Sequence, residues 1–199
     1  MLNVLIAGVG GQGSVLAAKI LAQAATEKGW QVRTAETIGM AQRGGNVASH
    51  VRMGNAGEHI YAPLVPFGRA DCVIALEPGE GLRALPYLAP NGLLVSARTG
   101  IASVTADLSG AHYDPAAVLE YLSQAAPHFV SVNDEAIAHA AESNKALNVG
   151  MLAAAIDSSE SLNCGLRSAL SIEDLKEALA VCVKPQFMDM NLAAIGAAV

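Results

Sequence analysis

The sequence predicts an α/β protein of three layers, α/β/α, built on a mostly parallel sheet with an inserted β-hairpin. Three observations carry that prediction. Short apolar runs of strand length, at Leu2–Ala7, Asp71–Leu76 and Leu93–Ala97, alternate with segments of helical period. Strands joined in this way by helices form parallel sheets covered on both faces. Between the first two runs, residues 39–62 break the alternation with a polar, glycine-rich stretch and a second strand-like segment.

The elements follow in order. Leu2–Ala7 is a continuous apolar run and leads directly into GVGGQG, Gly8 to Gly13. From Ser14 to Lys28 apolar residues recur at helical spacing, and Gly29 stands where a helix ends. Trp30–Glu36 reads as a second strand. Val47, Ser49, Val51 and Met53 then alternate with Ala48, His50 and Arg52, the pattern of a half-exposed strand. Asn55-Ala56-Gly57 turns toward a short partner strand at His59–Ala62. Beyond Asp71–Leu76, a short helix is expected to carry Leu82, Leu85 and Leu88, with Pro90-Asn91-Gly92 as a turn into the strand Leu93–Ala97. Asp114-Pro115 starts a helix that runs to about Ala126. His128–Val132 is a strand, and Asp134 opens a further helix. Ser171 with Asp174 forms a capping box before Ile172–Val181. The last helix runs from Gln186. Strands alternating with helices around a glycine-rich first turn make the fold Rossmann-like, in one domain over residues 1–199.

The totals exclude several classes of function. Charged residues make up 15% of the chain, against roughly a quarter in an average soluble domain. The difference is filled by aliphatic residues, as in a large core or a surface covered by another subunit. A net charge of −6, with basic residues scattered, gives no footprint for nucleic acid or an anionic membrane. No apolar run reaches the roughly 20 residues that span a bilayer, and with a strand expected from the first residues no signal peptide is expected. Cys72, Cys164 and Cys182 lie far apart, without the clustering that zinc or iron–sulfur sites require. The expectation is a reduced cytoplasmic protein holding no metal, with Cys72 buried as a small hydrophobe.

Two motifs invite chemistry. Gly8, Gly10 and Gly13 satisfy G-x-G-x-x-G between a strand and a helix, where backbone N–H groups at a helix N-terminus can receive an anion. Glu36, ending the second strand, falls near the place of a ribose-binding carboxylate. This supports an NAD(P)- or FAD-binding oxidoreductase, and the same glycines would equally serve strand–helix packing. Gly10-Gly11-x-Gly13-Ser14 also resembles the loop of ubiquitin-activating-type adenylating enzymes, but the paired cysteines of that class are missing. No histidine pair has metal-ligand spacing, and Gly-x-Ser-x-Gly is absent. Asp71 and Glu77 flank one buried strand as candidate functional carboxylates. No nucleophile, base and orienting group assemble, so any difficult chemistry is expected on another chain.

The second motif, Gly39-Met40-Ala41-Gln42-Arg43-Gly44-Gly45, changes the reading. With Gly8-Val9-Gly10-Gly11-Gln12-Gly13 it resembles the gamma domain of 2-oxoacid:ferredoxin oxidoreductases. The form before Arg43, and the strand after Gly45, are most similar to the beta subunit of the indolepyruvate branch. The resemblance covers nearly the whole chain, as a single pyruvate/ketoisovalerate oxidoreductase gamma-type domain. It includes the helix led by Asn148 and the C-terminal helix at Asn191, and departs from the family pattern at Ile38, Ser143 and Ile195. It implies oxidative decarboxylation of a 2-oxoacid to an acyl-CoA, with ferredoxin as electron acceptor. Thiamine diphosphate and the 4Fe-4S clusters would belong to a larger partner subunit, and this chain would carry no catalytic residue. Gly8, Gly10, Gly11, Gln12, Gly13, Gln42, Arg43, Gly44 and Gly45 would help shape a coenzyme A site. Arg43 would pair either with an anion of the ligand or with a carboxylate of the partner. A ligand-free scaffold is the remaining alternative.

Overall fold

A computed structural model describes residues 1–39, 45–101, 113–162 and 166–199. The strands are β1 (Leu2–Val9), β2 (Gln31–Ile38), β3 (Asn46–Gly54), β4 (Ala70–Ala75), β5 (Leu88–Ala97) and β6 (His128–Val132). They form one sheet in the order β2-β3-β1-β4-β5-β6. β1, β4, β5 and β6 pair in parallel, and β3 runs antiparallel to both β1 and β2. The helices are α1 (Ser14–Glu27), α2 (Pro78–Ala84), α3 (Pro115–Ala125), α4 (Asp134–Ala140), α5 (Leu147–Leu162), α6 (Leu166–Ala169), α7 (Ile172–Cys182) and α8 (Met188–Gly196). The α/β/α layering and the mostly parallel sheet are therefore as the sequence predicts.

Alternation along each strand divides the apolar residues between two cores. Val4 and Ile6 of β1 join Ile20, Leu21, Leu152, Ile156 and Leu179 in the larger one, on the face covered by α1, α5 and α7. Leu5 and Ala7 point to the smaller one with Val73, Leu94, Ala84 of α2 and Leu122 of α3. Among the described side chains of α5, Val149, Met151, Leu152, Ala153, Ala154, Ala155 and Ile156 are all buried, the mark of a helix inside a core. At α7 the expected capping box is complete: Ser171 Oγ accepts from Asp174 N, and an Asp174 carboxylate oxygen accepts from Ser171 N. Asp114 caps α3 ahead of Pro115, and Cys72 is buried in β4.

The hairpin differs from its expected form. It is β2 and β3, and residues 59–62 form no strand. β3 already pairs with β1 on one side and β2 on the other, so no hydrogen-bonding edge is left for a third partner. The 59–67 segment crosses the face of β3 instead. Val65 N donates to His50 Nδ1 at 3.2 Å, and Arg52 donates to the carbonyls of Ala62 at 2.8 Å and Leu64 at 3.5 Å. His50 is thereby only 1% exposed rather than half-exposed, and burial pushes its pKa down. Near the second core, Pro90-Asn91-Gly92 lies within β5, where the register with β4 slips between Ala70 and Cys72. Leu88 begins that strand instead of extending a helix. Leu82 is exposed, because α2 approaches the sheet through Gly81 and Ala84.

α5 lies against α4 and α8 at Gly150. A Cβ there would meet Ile137 Cγ2 at 2.6 Å and the Ala194 carbonyl oxygen at 3.2 Å. Gly150→Ala should therefore destabilise by about 1–2 kcal/mol despite alanine's better helix propensity. Gly196→Ala, at a position open on all sides, should be neutral or stabilising by up to about 0.5 kcal/mol. Urea denaturation of both variants checks this, and a stabilising Gly150→Ala would contradict the packing.

Candidate functional site

The site lies at the carboxyl ends of β1, β4 and β5. There the chain leaves β1 for α1 on one face of the sheet and leaves β4 for α2 on the other. Such a switch point leaves a crevice above the strand ends. Here it is a cavity of about 530 Å³ lined by Gly11, Gln12, Leu76, Thr99, Ile101, Asp134, Glu135, Ala138, Asn144 and Leu147.

The glycine-rich loop is held by its own glutamine. Gln12 Oε1 accepts from Val9 N at 2.7 Å, and Nε2 donates to the Leu76 carbonyl at 2.7 Å. Both ends of the side-chain amide thus tie the end of β1 to the end of β4. The sequence places Gln12 among the expected ligand contacts; its amide oxygen and nitrogen bond to the protein itself. Gly8 leaves room for this bridge, since a Cβ there would lie 2.9 Å from Gln12 Oε1. Gly13 has φ +82, and its Cβ would fall 2.6 Å from Asn148 Nδ2. Asn148 at the start of α5 donates to the Gly13 carbonyl at 2.9 Å, so the third glycine serves close packing.

The two sequence motifs meet. Gly10 N donates to the Gly45 carbonyl at 2.9 Å, and Gly39 N donates to the Asn46 carbonyl at 2.8 Å. The antiparallel register Val9↔Asn46 brings the start of β3 against the glycine loop. Gln42, Arg43 and Gly44 lie outside the described residues. Glu36 does not have the place expected of a ribose-binding carboxylate. β3 stands between β2 and β1, in the register Glu36↔Ser49↔Ile6, which moves Glu36 one further strand spacing, about 4.8 Å, from the strand that carries the loop.

Of the two strand-end carboxylates, Asp71 lies at the start of β4, opposite the cavity. Its Oδ2 accepts from Asn3 N at 2.7 Å, and burial pushes its pKa up. Glu77 is 2% exposed beside the cavity wall. One oxygen accepts from Glu80 N at 2.9 Å; the other accepts from the Tyr113 hydroxyl and from Ile101 N at 3.3 Å. Burial first, and Glu77 second, push the Tyr113 pKa up. Glu77 therefore holds Ile101 and Tyr113 together, a structural task that leaves no carboxylate oxygen idle. Asp134 is 5% exposed, and its Oδ1 accepts from Arg98 N at 2.8 Å and Thr99 N at 3.1 Å. In the sequence Asp134 reads only as a helix start, although a carboxylate opening a helix at a strand's carboxyl end is a usable signal. Thr99, Glu135, Asn144 and Leu147 carry no local pattern and reach the cavity through tertiary packing alone.

Among the described residues no group of three or more His, Cys, Asp or Glu is placed to hold a metal ion, and no helix is long and apolar enough to cross a membrane. The described part of the site offers backbone N–H groups, carboxylates and apolar walls.

Comparison with known proteins gives a consistent result. The family model described as pyruvate ferredoxin/flavodoxin oxidoreductase matches residues 3–199. The indolepyruvate oxidoreductase subunit IorB of Archaeoglobus fulgidus is 37% identical over 98% of this chain and 92% of its own length. The crystal structure of the keto/oxoacid ferredoxin oxidoreductase gamma subunit from Geobacter sulfurreducens superimposes with a TM-score of 0.67 at 20% identity, over 100% of this chain and 98% of that one. The 2-oxoglutarate:ferredoxin oxidoreductase of Magnetococcus marinus, with 2-oxoglutarate, coenzyme A and succinyl-CoA bound, matches 99% of this chain with 31% of its own, at a TM-score of 0.68 and 20% identity.

The Gln12 bridge can be tested directly. Gln12→Glu keeps an acceptor for Val9 N but sets an oxygen against the Leu76 carbonyl. The substitution should lower stability at pH 8 by about 2 kcal/mol. The introduced carboxyl can donate to Leu76 once protonated, so the deficit should shrink as the pH falls through the carboxylate range. Denaturant titrations at pH 8 and pH 4.5, referred to the parent chain, measure both effects.

Proposed function

Because this chain belongs to the pyruvate ferredoxin/flavodoxin oxidoreductase family, we propose that it is the non-catalytic, gamma-type subunit of a cytoplasmic 2-oxoacid:ferredoxin oxidoreductase. The substrate on this reading is indolepyruvate or another aryl pyruvate, by kinship with the IorB subunits. A larger partner subunit would hold thiamine diphosphate and the 4Fe-4S clusters. There thiamine diphosphate would supply the chemistry of decarboxylation, the clusters would pass the two released electrons to ferredoxin, and coenzyme A would take the acyl group.

The role of this chain is to form the coenzyme A side of the shared active site. The observation that carries the reading is the bond from Gly10 N to the Gly45 carbonyl. It sets Gly45, the residue that follows Gln42-Arg43-Gly44 in the sequence, on the first turn of the glycine loop. Arg43 would bring the one permanent positive charge of that stretch to an anion of the coenzyme or a carboxylate of the partner. The place of β3 argues against an autonomous dinucleotide enzyme, since the ribose carboxylate of that class belongs on the strand next to β1.

The purified chain should show no 2-oxoacid-dependent dye reduction by itself, and activity should appear on adding the large subunit. Arg43→Ala should assemble normally and raise the apparent KM for coenzyme A roughly tenfold or more, as expected for a lost charge-assisted contact. Turnover by the isolated chain would contradict the proposal. An unchanged KM in the Arg43→Ala complex would favour a scaffold that touches no ligand.

A further inference from the structure

We infer that the cavity at the strand ends receives the uncharged pantetheine arm of coenzyme A and that the nucleotide's phosphates lie outside it. This rests on the reading that the chain forms the coenzyme A side of the active site, and adds which part of the molecule it grips. The lining decides the matter by its chemistry. Leu76, Ile101, Ala138 and Leu147 supply apolar wall, and Asp134 and Glu135 supply two carboxylates. Among the described residues no lysine or arginine lines the cavity. The guanidinium of Arg98, at the end of β5, donates to Ser131 Oγ and to the Ser131 carbonyl, which commits it to β6.

A pyrophosphate in this space would meet two carboxylates with no compensating cation among the described residues, an arrangement that like charges oppose most strongly where solvent is displaced. Pantetheine fits the same walls. Its two amide N–H groups can donate to carboxylate oxygens, its amide carbonyls can accept from Asn144 or the loop amides near Gly11, and its dimethyl group matches the apolar wall. Asp134 is fixed for such a role, since Arg98 N and Thr99 N hold one of its oxygens and the cavity borders the same side chain. A cavity of about 530 Å³ is within the ordinary size for a small-molecule site.

The test uses the assembled complex and two thiol acceptors, coenzyme A and pantetheine, the second lacking the nucleotide. Ala138→Leu fills part of the cavity. It should raise the apparent KM for both acceptors by the same factor, roughly tenfold, with the KM for the 2-oxoacid unchanged. A rise for coenzyme A without a rise for pantetheine would place the nucleotide in the cavity, overturning this inference while leaving the coenzyme A reading intact. No change for either acceptor in a normally assembled complex would remove the cavity from the coenzyme A site and overturn both. Glu135→Lys, at an exposed position, provides a second measurement should the leucine variant fail to fold. If the arm occupies the cavity, the two KM values change by the same factor; a fall confined to coenzyme A would show phosphate there and overturn the inference.

Discussion

The arrangement depends on one constraint: an antiparallel strand lies between β1 and β2. In a sheet with β2 directly beside β1, the glycine loop and the end of the second strand would share a dinucleotide crevice. β3 takes that place, bonds to both neighbours along its length, and brings Gly45 onto the loop at Gly10. The same strand displaces Glu36 from the loop and requires the 59–67 segment to cross its face, where His50 and Arg52 hold it. The geometry that frustrates a nicotinamide site is the geometry that joins the two glycine motifs.

Around that join, polar side chains act as internal fasteners. Gln12 bridges β1 and β4, Asn148 binds the loop to α5, Glu77 gathers Ile101 and Tyr113, and Asp134 receives the end of β5. Each replaces a lost water contact with protein hydrogen bonds, the condition on which a buried polar group is tolerated. The strand-end side of the cavity is therefore fastened by hydrogen bonds within the protein. The reactive groups required by a 2-oxoacid oxidoreductase would be supplied by the partner subunit, to which this chain would add a shaped wall.

Much of this was legible in the sequence where the signal is local. β1 was readable from an unbroken apolar run, α1 from its period and Gly29, and α7 from Ser171 and Asp174. Pairing across the sheet was less so. The alternation of Val47 to Met53 announces a strand without saying that both its edges are occupied, so a partner at His59–Ala62 was a natural expectation and an incorrect one. Pro90-Asn91-Gly92 has turn composition, yet a register slip absorbs it within β5. At the site, the glycines were evident from spacing, but the use of Gln12 was not. Its two partners lie three and sixty-four positions away, and only the second is a tertiary contact. Thr99, Glu135 and Asn144 sit in no motif, because they converge only when α4, α5 and the end of β5 pack together.

The most direct measurement is hydrogen exchange on the assembled complex with and without coenzyme A, and on the isolated chain with NADH. Coenzyme A should slow exchange at the amides of Gly11–Leu16, at Thr99–Ile101 and across residues 134–147, while the 55–58 turn at the opposite end of the sheet is unchanged. NADH should protect none of them. Protection of the glycine loop by NADH, or none by coenzyme A at saturating concentration, would contradict the account.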